Sequence, residues 1–288
     1  MQYAPIVLFT YNRPTHTQKV IESLKQNALA SDSDLFIYSD GPKKNTDIAN
    51  VTEVRTYIHS IKGFKSLKII ESPINKGLAQ SIIDGVTEIV NQYGRIIVLE
   101  DDIVLSLYFL KFMNTALERY EQDDQVMHIN GYIPNIDSST LNETFFTSHM
   151  FCWGWGTWKQ SWDCYQKKPK KLLSLFDKKM KKRFNFNGYN DVFSQITQNY
   201  RGKINTWAVF WAASILLKKG LCLSPSMSLT NNIGTGNSFS TSNTVVGVYT
   251  YYVTENNSNG CESVETPVTL TINATPLAPS ASNENACF

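Results

Sequence analysis

No stretch of the 288-residue chain reaches the run of about eighteen apolar residues that a membrane-crossing helix needs. The opening, MQYAPIVLFTYNRP, has no basic leader region and only a short apolar run, so no signal peptide is expected and the chain reads as cytoplasmic. Cysteine is sparse and scattered: Cys152, Cys164, Cys222, Cys261 and Cys287 are odd in number and form no CxxC pair. Neither a zinc site nor a disulfide framework follows, and Cys152 and Cys164 read as reduced core thiols. The histidines, His16, His59, His128 and His149, show no HxxxH spacing and read as structural or surface residues. Charge is modest, 18% of residues with a net of +2, which argues against a general nucleic-acid binder. With 42% of residues hydrophobic, the chain is not a disordered one, and its length suffices for one large α/β domain or two smaller ones.

Basic residues stop at Lys219, and the acids beyond it are Glu255, Glu262, Glu265 and Glu284. The tail is rich in Thr, Ser, Asn and Val, and alternates in segments such as VGVYTYYVT and VTLTI, separated by polar turns such as NNSNG. Those are strand patterns, whereas the front alternates apolar strands with helix-length amphipathic stretches, the mark of a parallel α/β sheet. Two kinds of protein are joined, with domains expected at 1–236 and 237–288. The stretch GVYTYYVTENNSNGCESVETPVTLTI resembles the Ig-like repeat modules of Bacteroidetes surface proteins. An Ig-type sandwich needs about seven strands and about 100 residues, so the tail is expected to be an incomplete fragment.

In the front part, residues 5–10 (PIVLFT) form a continuous apolar run, as a buried parallel strand does. Further strands are expected at 35–39, 67–71 and 95–99, with helices at about 15–26, 47–59 and 78–92 between them. In open parallel sheets, ligands bind beyond the carboxyl ends of the strands. Thr10, Asn12, Arg13, Asp40, Asn75 and the triplet Glu100, Asp101, Asp102 all fall at such ends. Three consecutive carboxylates at the end of a buried strand repel one another and lose hydration unless something positive sits among them. A hard divalent cation shared with substrate phosphates is the natural partner. The plainer alternative is a solvated strand-to-helix turn whose acids favour the next helix N-terminus.

The run APIVLFTYNRP, SDG at 39–41, NKGLA at 75–79 and VLEDDI at 98–103 resemble a GT-A-fold glycosyltransferase over about residues 4–236. The EDD form is similar to that of the N-acetylglucosaminyltransferases that start complex N-glycans and of related bacterial family 2 enzymes. The resemblance implies a nucleotide-diphosphate sugar donor, UDP-linked by first choice, with Mn2+ or Mg2+ as cofactor. It implies that Thr10, Tyr11 and Arg13 line the nucleotide site, with the tyrosine ring against the base, and that Asp40 bonds the base or ribose. Asn75 and Gly77 would frame the nucleotide. Asp102 would be the main metal ligand, with Glu100 and Asp101 holding donor sugar, ribose or coordinated water. A sugar nucleotidylyltransferase would share the sheet, but its glycine-rich loop after the first strand is absent.

All six tryptophans lie between Trp153 and Trp211. Indole faces pack on sugar rings as readily as in cores. By the resemblance, Trp153 and Trp155 shape the donor and acceptor pocket, and the others pack. Residues 167–183 hold nine basic side chains and one acid, Asp177, with Leu172, Leu173, Leu175, Phe176 and Met180 at roughly helical spacing. This predicts an amphipathic surface helix that either meets the inner membrane face peripherally or an anionic acceptor, or is simply a solvated face.

An inverting transferase needs a carboxylate to take the acceptor proton. By the resemblance, that acid should stand just before a tryptophan, where this chain has Asn205, an amide that cannot act as a base. Asp163 and Asp191 are then the candidate bases. NNIGTG at 231–236 resembles the family's closing segment without its following histidine. The expected function is sugar transfer to a glycan or lipid-linked acceptor in bacterial polysaccharide assembly. The competing readings are a carbohydrate-binding or adhesion protein and an inactive chimera that retains nucleotide binding.

Overall fold

The computed structural model describes residues 2–136 and 141–234, together with the backbone of residues 247–253 and 266–272. The chain divides into two compact units, Met1–Ser238 and Phe239–Phe288. The first opens as a regular β-α alternation: β1 (Ile6–Thr10), α1 (Pro14–Lys25), β2 (Asp34–Ser39), α2 (Ile48–His59), β3 (Ser66–Glu71), α3 (Leu78–Tyr93) and β4 (Arg95–Glu100). It continues with β5 (Ile103–Leu105), α4 (Phe109–Arg119), β6 (Val126–Asn130), β7 (Thr144–Thr147) and β8 (Trp155–Trp158). The rest is α5 (Lys159–Trp162), α6 (Pro169–Leu175), α7 (Lys178–Phe184), α8 (Ser194–Tyr200), α9 (Ala208–Leu217), β9 (Leu221–Pro225) and β10 (Thr230–Asn232).

Eight strands form one sheet in the order β3-β2-β1-β4-β8-β6-β9-β7, and β10 pairs separately with β5. The strands β3, β2, β1 and β4 are mutually parallel, whereas β8 and β7 run against their neighbours. From β1 the chain builds outward to β3, then returns to lay β4 on the other side of β1. Strand order therefore reverses between β1 and β4, and the crevice at their carboxyl ends is where such sheets take ligands.

Helices cover both faces. Alternate side chains of β1 serve each layer: Ile6 and Leu8 join Val20, Ile21 and Leu24 of α1 and Phe109, Leu110 and Met113 of α4. On the other face, Val7 and Phe9 meet Ile82, Val86, Ile89 and Val90 of α3. Those α3 residues recur at three- and four-residue intervals, so one helical stripe faces the sheet. Central strands β1 and β4 are buried on both faces, while edge strand β3 is half-exposed and carries Lys68 and Glu71, which discourages pairing with another chain.

The stretch 167–183 is not one amphipathic helix. It breaks into α6 and α7 at Asp177, whose side chain caps α7 by accepting from the Met180 amide at 2.7 Å. Leu172, Phe176 and Phe184 fold inward onto α9 in a third core cluster, which removes most of the apolar face that the spacing suggested. Cys152, Cys164 and Cys222 are free thiols; only Cys222 is fully buried. No helix among the described residues is long and apolar enough to cross a membrane. In the second unit, β11 (Gly247–Val253) and β12 (Thr266–Ile272) pair antiparallel, and the remainder of the Ig-like expectation lies outside the described residues.

His128 of β6 is wholly buried against Trp155. Its Nδ1 accepts from Trp211 Nε1 at 3.1 Å, and its Nε2 lies 3.2 Å from the Phe151 carbonyl. That pattern requires a neutral ring with its proton on Nε2. Burial pushes the His128 pKa down from 6.5 to about 4. The unfolded chain takes up a proton below about pH 6.5, whereas the folded chain resists until about pH 4, so this contribution to stability is full above pH 6.5 and falls as the pH drops. Urea unfolding at pH 7 and pH 5 should show a loss of about 2 kcal/mol from this residue. The loss should be absent in His128→Gln; an equal loss in the variant would contradict the assignment.

Candidate functional site

The crevice between β1 and β4 is built from strand ends. Parallel register sets Phe9 beside Glu100, so the residues that follow each strand emerge together. After Thr10, the chain turns through Tyr11, Asn12 and Arg13 into α1, whose first residue, Pro14, suits that position because its missing N–H would have no helical partner. The guanidinium of Arg13 spans two carboxylates, bonding Asp102 Oδ2 at 3.0 Å and Asp101 Oδ1 through its other nitrogen. The Tyr11 amide also donates to Asp101 Oδ2 at 3.3 Å.

Electrostatics at this acidic tip are those of a group short of positive charge. Burial, then repulsion from Asp102 and Asp101, pushes the Glu100 carboxyl up to about 8, with Arg13 opposing. Burial raises Asp101 as well, against the pull of Arg13. Asp102 Oδ1 is buried and has no hydrogen-bond partner among the described residues. Among those residues, no group of three or more His, Cys, Asp or Glu is disposed to hold a metal. One free carboxylate oxygen nevertheless suits Mg2+ or Mn2+, which bind through one or two carboxylates and complete their shell with substrate phosphates and water.

The segment 231–234 closes over this tip. The Ile233 amide donates to the Asp102 carbonyl at 2.8 Å, and the Ile233 carbonyl lies 3.0 Å from His16 Nε2 on α1. A side chain at Gly234 would place its Cβ 2.5 Å from Asp102 Oδ2, so a larger residue there would have to displace the Asp102 carboxylate. His16 thus has a place at the tip that its spacing in the sequence did not signal.

A cleft of about 400 Å³ opens beside the tip, lined by Thr10, Tyr11, Arg13, Asp40, Asn75, Gly77 and Asp101, with Leu78 and Ser81 of α3. Seven of the expected nucleotide residues therefore share one cleft. Its walls are pinned by two carboxylates. Asp40 accepts from the amides of Gly41 at 2.9 Å, Lys76 at 2.8 Å and Gly77 at 2.8 Å, and Asn75 Nδ2 donates to the Gly41 carbonyl at 2.8 Å. Three of the four lone-pair positions of Asp40 are thus committed to backbone, so its first role is to hold the NKG turn. Asp47, which sequence reasoning missed, accepts from the Tyr11 hydroxyl at 2.7 Å and from Asn12 Nδ2 at 3.2 Å. The Lys43 amide donates to the same hydroxyl at 2.9 Å, fixing the Tyr11 ring. Hydrogen bonding from Tyr11, chiefly, holds the Asp47 carboxyl below its usual range.

The two tryptophans expected in the pocket part company. Gly154 has a φ of 73°, in the left-handed region, and this kink turns the chain between them. Trp153 lines a cavity and packs against Tyr132 with ring centroids 4.3 Å apart. Trp155 is 0% exposed and stacks on His128 and Trp207, so it is a core residue and not a pocket wall.

The candidate bases are not gathered at the tip. Asp163 is exposed and paired with Lys159 at 2.9 Å. Asp191 accepts from Asn185 Nδ2 at 3.1 Å and the Ser194 amide at 3.2 Å, at the start of α8. Asn205 accepts from Lys167 Nζ in a separate cleft beside Gln80. None of the three lines the cleft that holds Asp101.

The profile described as Glycosyl transferase family 2 matches residues 6–201. Among solved structures, the chain is similar to the mannosyltransferase PcManGT of Pyrobaculum calidifontis, in complex with GDP-Man and Mn2+, with TM-score 0.40 and 9% identity over 56% of this chain and 46% of that one. It is also similar to TarS of S. aureus, with TM-score 0.34 and 14% identity over 50% of this chain and 24% of that one. The chain thus spans less than half the length of either. No curated protein matches it significantly.

Removing the Asp40 carboxylate should leave the Lys76 and Gly77 amides without acceptors. Asp40→Ala should cost about 2 kcal/mol of stability. Hydrogen exchange should show those two amides losing protection well before the core strands. Unchanged exchange at Lys76 and Gly77 would contradict this role.

Proposed function

Because the chain belongs to glycosyl transferase family 2, we propose that it moves a sugar from a nucleoside-diphosphate donor to a glycan or lipid-linked acceptor, with inversion at the anomeric carbon. The proposed donor carries UDP by first choice, and the proposed cofactor is Mn2+ or Mg2+. One observation carries the reading: the cleft at the reversal between β1 and β4 is lined by Asp101, and the adjacent Asp102 has a buried carboxylate oxygen, Oδ1, with no hydrogen-bond partner among the described residues.

That geometry supports the following proposed roles. Phe9 and Tyr38 stack with centroids 5.3 Å apart and line the cleft beside Tyr11, an aromatic setting for a base. Arg13, at the mouth of α1, is within reach of a diphosphate in the cleft and offers a planar fork for its oxygens. Asp102 would hold the divalent cation through Oδ1, and Glu100 and Asp101 would orient ribose, donor sugar or coordinated water. When bound, the cation supplies positive charge to the departing diphosphate. Asp40 and Asp47 act at one remove, by fixing the NKG turn and the Tyr11 ring. The reading assigns no base to Asp163, Asp191 or Asn205, since none of them lines the donor cleft. Its setting is polysaccharide assembly on the cytoplasmic side of a bacterial membrane, with the basic surface of α6 and α7 as the membrane-facing side.

The test is thermal unfolding of the full chain with UDP, GDP, CDP or dTDP, each with and without Mn2+, beside Asp102→Ala. A ligand at a hundred times its dissociation constant adds about 2.7 kcal/mol, a readily measured shift. The expected result is a Mn2+-dependent shift with one nucleotide, lost in Asp102→Ala, which keeps its own melting temperature close to that of the wild type. A folded protein that responds to none of the four would overturn the reading.

A further inference from the structure

A second cavity, of about 410 Å³, lies behind Trp153. One wall is aromatic: Tyr132 packs on Trp153 and, with centroids 5.6 Å apart, edge-on against Phe151. The opposite wall is α9, which turns Val209, Ala212 and Leu216 toward the space at helical spacing. Asn190 and Gln195 add hydrogen-bonding groups. Among the described residues that line it there is no carboxylate, and Arg183, exposed at the rim, is the one side chain of permanent charge. Arg183 lies on α7, which also carries Lys178, Lys179, Lys181 and Lys182, so the helix at the rim is cationic.

One lining residue, Cys152, feels the charges of the acidic tip. Its thiol is pushed up to about 12, chiefly by burial but also by the charges of Glu100 and Asp102. The neighbouring Trp153 carbonyl accepts from Thr230 Oγ1 at 2.8 Å, and the same short segment carries the Ile233 amide that bonds Asp102. Asn130 holds the outer wall by accepting from the Phe151 amide at 2.7 Å and donating to the His149 carbonyl at 3.2 Å. The cavity is therefore lined by aromatic and apolar side chains, with Arg183 as its charged group, and its Trp153 side is tied through Thr230 and Ile233 to the strand end that carries Asp102.

We propose that this cavity is the acceptor subsite and that it takes a sugar joined to a phosphate, the sugar ring lying on Trp153 and Tyr132 and the phosphate on Arg183. The assignment rests on the donor site proposed above, because the acceptor must meet the donor at the tip. Ring stacking fits the apolar face of a pyranose, and Asn190 and Gln195 are suited to its hydroxyls. A guanidinium takes a phosphate through two parallel hydrogen bonds. A neutral glycan would leave the cationic rim without a partner, and a carboxylate-bearing one would use it less fully. The α7 lysines strengthen the field at the phosphate and, for a lipid-linked acceptor, face the anionic surface from which the chain would emerge.

Calorimetric titration of the full-length protein tests this with glucose 1-phosphate, galactose 1-phosphate and N-acetylglucosamine 1-phosphate, against the three free sugars and inorganic phosphate. At least one sugar phosphate should bind at least tenfold more tightly than its free sugar and than inorganic phosphate. Arg183→Gln should remove that preference, a loss of roughly tenfold or more, while leaving the free sugar's affinity unchanged. Arg183→Lys should restore part of it. An octyl ester of the preferred sugar phosphate separates the sources: tighter binding than the parent assigns a lipid-linked acceptor, and equal or weaker binding assigns a soluble one. Nucleotide-induced stabilisation is read on the same proteins, so a failed donor site and a failed acceptor site give different patterns. The proposal is overturned if no sugar phosphate exceeds its free sugar, or if Arg183→Gln keeps the full preference.

Discussion

The ion pair between Arg13 and the carboxylates of Asp101 and Asp102 joins the two strand ends on which the site stands. Strands β1 and β4 are buried on both faces, so their carboxyl ends deliver these side chains to a fixed place with little water around them. Three adjacent carboxyls there cannot all stay charged without compensation. Arg13 supplies part of it, and the raised Glu100 marks what is left over. Oδ1 of Asp102, which has no hydrogen-bond partner among the described residues, marks where further positive charge would sit. The donor reading follows from that deficit, because a nucleoside diphosphate arriving with a divalent cation brings both the missing charge and a ligand for Arg13.

The surrounding structure keeps this arrangement in place. Asp40 fastens the turn after β3, Asp47 fastens Tyr11, and the segment through Gly234 packs against Asp102. Each uses a charged or polar side chain to satisfy backbone or hydroxyl groups close by, so the cleft is preorganised by hydrogen bonds and not by apolar packing alone. The layers behind it, with α1 and α4 on one face and α3 on the other, make the strand ends rigid.

Much of the parallel half was legible in the sequence. Continuous apolar runs marked β1, β2 and β4, and the periodic stripe of α3 marked a helix of the observed length. The placing of polar residues at strand ends gave the cleft itself. Its internal partnerships were not legible, because they join residues far apart: Arg13 meets Asp101 across 88 positions, and Tyr11 meets Asp47 across 36. Past β4, the pattern weakened for physical reasons. Strands β7 and β8 have only four residues each, too short to show a period. The left-handed Gly154 turned Trp155 into the core, and the cap at Asp177 cut the basic stretch in two. The cavity behind Trp153 draws on Tyr132 after β6, the approach to β8, α7, α8 and α9 together, and no local pattern signals a space assembled from five segments.

The charge deficit at the tip can be measured without any substrate. Electron paramagnetic resonance of free Mn2+, titrated with the wild-type protein and with Arg13→Gln in the absence of nucleotide, reads how strongly the carboxylates call for a cation. The account predicts that Arg13→Gln binds Mn2+ several-fold more tightly than the wild type, because removing the internal cation leaves Asp101 and Asp102 with more uncompensated charge. Unchanged or weaker Mn2+ binding in Arg13→Gln would contradict it.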